Sequence, residues 1–166
     1  MSHHHAIPIL LPATCLAALL GASTVAHARP WKGCTPGKTT QAEVEQKFAK
    51  PSKKTAAEGK CSALWAYLED QKIAGTTQAQ FCFDAGGKLL DITVFPENAI
   101  DADTVKESYG ENFKKRLTDD FVVFWAYDKD GMKIYFDKEG KLVKAILFME
   151  PVAPKAAVEK VDPAAK

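Results

Sequence analysis

Past position 27 the sequence has no histidine; the four it holds are His3, His4, His5 and His27. A chain trimmed beyond His27 therefore has no imidazole to serve as a general base or to activate a nucleophile. It also lacks a CxxC pair, a GxSxG elbow and a glycine-rich phosphate loop. The Asp-x-x-Gly turns at Asp84 and Asp137 offer too few oxygen ligands for calcium, and Asx-turn chemistry accounts for them. No metal site and no cofactor is expected. An excess of one charge is missing too. Lys and Arg total 22 against 21 Asp and Glu, and no basic block marks a nucleic-acid footprint. Together these absences point away from an enzyme and from a nucleic-acid-binding protein.

The N-terminus is the one long uncharged stretch. Residues 6–25 carry no charge, and the run closes on Ala26-His27-Ala28 before Arg29-Pro30. Small residues at the two positions a signal peptidase reads predict a secretory signal peptide over residues 1–28, cleaved near Ala28. The usual basic n-region is replaced by His3, His4 and His5, which we read neither as a metal site nor as a purification tag. Pro8 and Pro12 interrupt the run, which without them is short for a membrane span. Neither Cys15 nor Cys34 follows a proper lipid-attachment pattern. The expected location is the periplasm or the exterior, and any membrane association would not run through a transmembrane span of the mature chain.

What is present is a repeat. FCFDAGGKLLDITV at 81–94 returns as YFDKEGKLVKAIL at 135–147, aligning Asp84 with Asp137, Gly87 with Gly140 and Leu89 with Leu142. Trp65-Ala66-Tyr67 returns as Trp125-Ala126-Tyr127. Thr40 and Glu43 have capping-box spacing, with Val44 and Phe48 four apart on one helical face. Asp101 caps a second helix carrying Val105 and Tyr109 at the same spacing. Alternation predicts strands over 61–69, 78–84, 88–95, 121–127, 132–137 and 141–148, with polar loops at 52–60 and 111–120. The expected domains are a first helix-β-β-β repeat at 29–98 and a second at 99–149. A tail at 150–166, without aromatic residues or apolar period, is expected to be disordered. The expected fold is α+β: two tandem helix-β-β-β units forming one antiparallel sheet, both helices packed on one face.

Strand alternation sorts the side chains. Trp65, Tyr67, Phe81, Phe83, Leu90, Ile92 and Val94, with Trp125, Tyr127, Ile134, Phe136, Val143, Ala145 and Leu147, are predicted to face the helices. Leu64, Cys82, Leu89, Asp91, Thr93, Phe124, Lys133, Tyr135, Leu142, Lys144 and Ile146 fall on the open face. That mixture of large apolar groups with Lys and Asp is the composition of a protein-binding surface, although a tail or loop lying over it would account for the same mixture. Past the signal, Cys34, Cys61 and Cys82 remain, an odd number for an oxidising compartment. Cys61–Cys82 and Cys34–Cys61 both stay open as pairings. Parity speaks mildly against the first, because Cys61 falls on the helix face and Cys82 on the open one, unless the strand ends early.

The string Gly37-x-Thr39-Thr40-x-x-Glu43-Val44-x-x-x-Phe48-Ala49-Lys50-Pro51, followed by Trp65-x-Tyr67 and Phe83-Asp84-x-x-Gly87-Lys88-Leu89, resembles the SmpA/OmlA (BamE-like) outer-membrane assembly lipoproteins. The doubling resembles the secreted β-lactamase inhibitor proteins, which share the helix-plus-hairpin fold in tandem. The spacing from Cys61 to Cys82 is similar to a disulfide-closed segment of those inhibitors, which implies a Cys61–Cys82 bond. The resemblance implies binding rather than catalysis, through Leu64, Phe124, Lys133, Tyr135 and Lys144. The expected partner is an envelope component, in outer-membrane assembly or maintenance, or alternatively a hydrolase such as a β-lactamase that the protein inhibits. A thiol-dependent redox protein using the unpaired cysteine is the third reading.

Overall fold

The computed structural model describes residues 27–151. Nearly all of the expected signal peptide, and the expected tail past Pro151, lie outside the described residues.

Two short helices form where the caps predict them. In α1 (Gln41–Phe48), the Thr40 hydroxyl accepts from the Glu43 N–H at 3.4 Å, and the Glu43 carboxylate accepts from the Thr40 N–H at 2.7 Å. This reciprocal pair satisfies two of the orphan amides at the helix start. In α2 (Ala102–Tyr109), the Asp101 carboxylate accepts from the Thr104 N–H at 2.8 Å. Each helix buries one valine completely, Val44 and Val105.

The rest is sheet. Strands β1 (Lys53–Ala56), β2 (Ala63–Leu68), β3 (Thr76–Phe83) and β4 (Leu89–Pro96) follow α1. Strands β5 (Lys114–Leu117), β6 (Val123–Tyr127), β7 (Met132–Phe136) and β8 (Val143–Met149) follow α2. All pair antiparallel in a single sheet of order β1-β2-β3-β4-β8-β7-β6-β5. This corrects the expected fold class. The chain is mostly an eight-stranded antiparallel sheet with two short helices, not two tandem helix-β-β-β units with helices packed on one face. The extra strands, β1 and β5, are the segments read as polar loops. They are the sheet's two edges and are exposed along their whole length, so they carry none of the apolar alternation by which a strand is recognised. Their lysines suit an edge, where charge discourages pairing with another sheet. Lys54 and Lys115 lie 3.9 and 5.7 Å from the Trp65 and Trp125 ring centroids.

The two halves meet at β4 and β8. Ile92 stands opposite Phe148, Thr93 opposite Leu147 and Val94 opposite Ile146. Matching Ile92 to Ile146 and Val94 to Phe148 makes this seam a pseudo-two-fold, centred on the Thr93–Leu147 pair. The match needs an offset that the ungapped sequence alignment misses. Asp84 N–H donates to Lys88 C=O, but Asp137 N–H donates to Leu142 C=O, one residue further on. Leu89 thus corresponds to Val143, not to Leu142.

Each hairpin also carries a bulge just after its turn. Phe83 pairs with Leu89 but Cys82 with Asp91, and Phe136 pairs with Val143 but Tyr135 with Ala145. One extra residue, Leu90 or Lys144, flips every later side chain to the other side. The sequence-based side assignment is corrected accordingly. Leu89 and Ile146 are buried in the core, whereas Leu90, Ala145 and Leu147 are only half-buried. The register across β6 and β7 is as expected, with Tyr127 opposite Met132 and Trp125 opposite Ile134.

The core packs Val44 and Val105 with the aromatic side of the sheet, including Tyr67, Phe81, Phe83, Ile92, Tyr127 and Ile134. The lead-in joins it through Trp31, whose ring centroid lies 6.0 Å from those of Phe48 and Phe81, and through fully buried Cys34. Two tyrosines tie the helix ends down: Tyr67 Oη donates to Ala49 C=O at 3.0 Å, and Tyr127 Oη donates to Gly110 C=O at 2.9 Å. Ala49 and Gly110 share a backbone conformation, with φ +61°, ψ −161° and φ +80°, ψ −180°. That region is essentially reserved for glycine and costs another residue on the order of 1–3 kcal/mol. Ala49→Gly is therefore expected to stabilise the fold by about 1 kcal/mol, the rest being offset by unfolded-state entropy. Urea unfolding checks this, and a loss of stability would contradict it.

Candidate functional site

The side of the sheet away from this core carries the candidate surface. Phe124 (β6) faces Tyr135 (β7), with ring centroids 5.3 Å apart and planes inclined by 29°. Lys133 sets its Nζ 5.6 Å from the Phe124 ring centroid, a cation–π distance. Burial pushes the Tyr135 hydroxyl pKa up, and the Asp91 charge adds to that. The sequence thus places three of its five expected contact residues together: Phe124, Lys133 and Tyr135. Lys144 joins them from the β8 bulge, where it is exposed and lines a cleft with Tyr135. Leu64 does not join. It sits on β2, opposite Cys82, in the other half of the sheet.

The largest cleft beside this cluster measures about 750 Å³ and lies between the 118–122 loop and the β7–β8 turn. One of its walls is Phe121, which is 83% exposed and has φ +60°. A bulky aromatic in the left-handed region is uncommon, and here its ring is not repaid by burial. The loop is held by Thr118, whose N–H donates to Val122 C=O at 3.0 Å and whose C=O accepts from the Phe121 N–H at 3.0 Å. Thr118 Oγ1 accepts from the Val122 N–H at 3.0 Å. Sequence reading missed Phe121 because it counted this residue as the first of a strand. The Asp119-Asp120 pair just before it was the available signal for a turn.

In the first half the matching place is closed by a disulfide, Cys61–Cys82. The parity objection to this pairing fails because β2 begins only at Ala63, so Cys61 lies before the strand and is free to reach across. Cys34 is the remaining thiol among the described residues. Burial, the largest cause, pushes its pKa up; Lys47 draws it down and Glu43 adds to the rise. The net shift favours the unreactive protonated form at neutral pH. A second, more polar cavity of about 390 Å³ lies beside it, lined by Thr39, Glu43 and Lys47 among others.

Asp91 is the notable charge on this side. It stands between Cys82 and Met149, half-buried, and burial pushes its pKa up while Lys60 pulls it partly back. A carboxyl that holds its proton to higher pH in the fold favours the fold in its neutral form. Its contribution is complete below the ordinary carboxylate range and is lost as pH rises through the raised value. Asp91→Asn is therefore expected to raise the melting temperature at pH 7, with the gain shrinking toward pH 3. A gain that does not depend on pH would contradict the electrostatic cause.

Among the described residues no cluster of His, Cys, Asp and Glu forms a metal site, and no helix is long and apolar enough to cross a membrane. No protein-family model matches the chain, and no curated protein matches it. Two solved structures are similar. One is a DUF4309 family protein, YjgB, from Bacillus subtilis, with 12% identity, a TM-score of 0.54 and coverage of 74% of this chain and 87% of that one. The other is an extracellular protein containing a SCP domain from Bacillus anthracis, with 12% identity, a TM-score of 0.45 and coverage of 67% of this chain and 43% of that one. The first of these corrects the expected resemblance, since that structure is neither a SmpA/OmlA lipoprotein nor a β-lactamase inhibitor protein. At this identity the first shows a shared fold and nothing further.

Proposed function

We propose that this chain is an exported, non-enzymatic protein that binds another protein through the side of its sheet away from the aromatic core. The observation that carries the reading is the Phe124–Tyr135–Lys133 cluster beside the exposed Phe121. Phe124 is itself buried, and it backs the half-buried Tyr135 and Lys133 and the exposed Phe121; a partly apolar surface rimmed by lysine and next to a cleft is how protein-recognition patches are built. Export is supported by the apolar run ending at Ala28, with cleavage near that residue, and by the Cys61–Cys82 disulfide, a bond that persists in oxidising compartments.

The test uses the mature chain as bait in an envelope extract, with captured proteins identified by mass spectrometry. Lys133→Glu is expected to weaken capture by about tenfold, the scale of a central contact, while leaving thermal unfolding unchanged. Lys38→Glu, at an exposed position elsewhere, is expected to change neither. Capture insensitive to Lys133→Glu would sink the assignment. The identity of the captured protein separates the two expected partner classes, an envelope component and a hydrolase.

A further inference from the structure

The lead-in is a strap between the two halves. At one end Arg29 N–H donates to Asp130 C=O at 3.1 Å, beside the β6–β7 connection. At the other, Gly37 N–H donates to Leu89 C=O at 2.7 Å and Leu89 N–H to Thr39 C=O at 2.8 Å, where β4 begins. Trp31 and Cys34 reach the core between these ends.

The Arg29 end is fastened unevenly. Its guanidinium carbon lies 4.9 Å from the Tyr109 ring centroid, a cation–π distance. Burial, the largest cause, raises the Tyr127 pKa; Tyr109 and Asp130 add to the rise and Arg29 opposes it, so the Arg29 and Asp130 charges both face that tyrosine. Arg29 Nη1, however, is buried with no hydrogen-bond partner among the described residues. An unpaired buried donor is costly, and the backbone bond to Asp130 joins two neutral groups.

A cavity of about 230 Å³ adjoins this end, lined by His27, Ala28, Gly37, Lys38 and Glu150 among others. A side chain at Gly131, the residue after Asp130, would run into Met149 C=O and Pro151 N, and one at Gly37 would run into the Glu150 carboxylate. The chain around Glu150 is thus pressed against the Asp130–Gly131 step, and its side chain against the strap. Glu150 is the one carboxylate lining the cavity, and it has no ion pair among the described residues. The Ala28–Arg29 bond lies at this cavity, with Ala28 half-buried and His27 exposed.

From these contacts we infer that the Ala28–Arg29 bond is a maturation site whose cleavage completes the fold: the α-ammonium group created on Arg29 seats between Asp130 C=O and the Glu150 carboxylate and fastens the strap. The inference rests on the proposed export of the chain and adds which bond is cut and what the new terminus does. Hydrolysis by a signal peptidase breaks the bond between Ala28 C and Arg29 N and consumes one water. Ala28 leaves as a carboxylate, and the proton that its acid gives up converts the Arg29 amine to ammonium. The Asp130 bond becomes charge-assisted, roughly twice as strong as a neutral one. Because Ala28 is half-buried once Arg29 is seated, and peptidases cut exposed chain, the cut precedes the seating.

Urea unfolding tests this on the mature chain beginning at Arg29, compared with the same chain Nα-acetylated. At about pH 6 the free terminus is expected to lower the unfolding equilibrium constant about tenfold. The groups facing the new amine are the Arg29 guanidinium, Tyr109, Tyr127 and Asp130 on one side and Lys38 and Glu150 around the cavity. An amine paired with a carboxylate keeps its proton above the ordinary α-amino range of about 7.7–8.0. Its contribution is complete below that range and is lost as pH rises through the raised value, so the two chains are expected to converge by about pH 10. The mature chain has no histidine, and the buried Cys34 thiol is common to both chains. Glu150→Gln is expected to remove most of the difference. Equal stability of the two chains at every pH, a difference that does not depend on pH, or one that survives Glu150→Gln overturns the seat. Mass spectrometry of the native protein separates this from the export reading. An exported chain that begins elsewhere than Arg29 overturns the cut and leaves export standing. A chain that stays uncut in the cytoplasm overturns export, and with it the maturation, whatever the stability of the recombinant mature chain.

Discussion

Replacing Phe81 by alanine is expected to destabilise the protein by about 3–5 kcal/mol, the cost of removing a fully buried phenylalanine and leaving a cavity. Phe81 is wholly inaccessible and holds together groups that reach it from three directions. Its ring centroid lies 5.7 Å from Phe48 of α1, 5.4 Å from Tyr67 of β2 and 6.0 Å from Trp31 of the lead-in. Because these neighbours belong to separate elements, the site cannot close by one side chain's movement, which places the cost at the upper end. The position corresponding to Phe81 across the pseudo-two-fold is Ile134, also wholly buried. There the aromatic filling comes from Phe113, stacked on Trp125 with centroids 3.9 Å apart and planes 5° from parallel. Ile134→Val removes one methylene, and the expected cost is about 0.5–1.5 kcal/mol. Urea unfolding with an unchanged slope measures both. The halves share a backbone but fill it differently. A Phe81→Ala loss below about 2 kcal/mol would contradict the place of Phe81 at the meeting point of α1, β2 and the lead-in.

That difference also explains what the sequence reveals. Local signals survive because they are written in adjacent residues. Thr40 with Glu43, Asp101 with Thr104, and the Asp84 and Asp137 turns all form the bonds their spacing predicts. Hairpin register across Trp125 and Ile134 follows from a short connection. The edge strands were not legible, since a strand exposed on both sides needs no apolar pattern, and Lys53–Ala56 and Lys114–Leu117 have none. The bulges at Leu90 and Lys144 were not legible either. An alternating string looks the same whether or not one residue is skipped; in β8 the error passes to every residue after the bulge, whereas in β4 it is confined to Leu89 and Leu90, since Ile92 and Val94 are buried as expected.

The candidate site shows the same division. Phe124, Lys133 and Tyr135 lie before the second bulge, so alternation sorted them correctly onto one side. Leu64 was grouped with them by analogy between repeats, but the analogy places it on the opposite half of the sheet. Phe121 was hidden because its role depends on what the second loop fails to do, namely to bond with β7 as Ser62 bonds with β3. An absent hydrogen bond leaves no mark in a sequence.

Removing the Cys61–Cys82 bond, by reduction or by replacing both cysteines with alanine, is expected to cost about 3 kcal/mol. The residues are separated by 21 positions, and a loop near that length restricts the unfolded chain by about that amount. The folded state needs the bond less. Cys82 sits within β3, paired on both sides to Leu64 and Asp91, and the loop before β2 is also held by Ser62 N–H on Phe83 C=O. The loss should therefore appear mainly as a more expanded unfolded state. That state gives a steeper urea dependence, while near-ultraviolet circular dichroism of the folded protein stays the same. Thiol titration of the unfolded, unreduced mature chain is expected to find Cys34 alone. Finding three reactive thiols, or a double-alanine variant as stable as the parent, would contradict the bond's role. Because Phe121 and Tyr135 occupy the corresponding positions in the second half, that half has no such restraint. Hydrogen exchange at the amides of the 118–122 loop is thus expected to be faster than at those of the 57–62 loop in the oxidised protein, and the two are expected to approach one another once the bond is reduced.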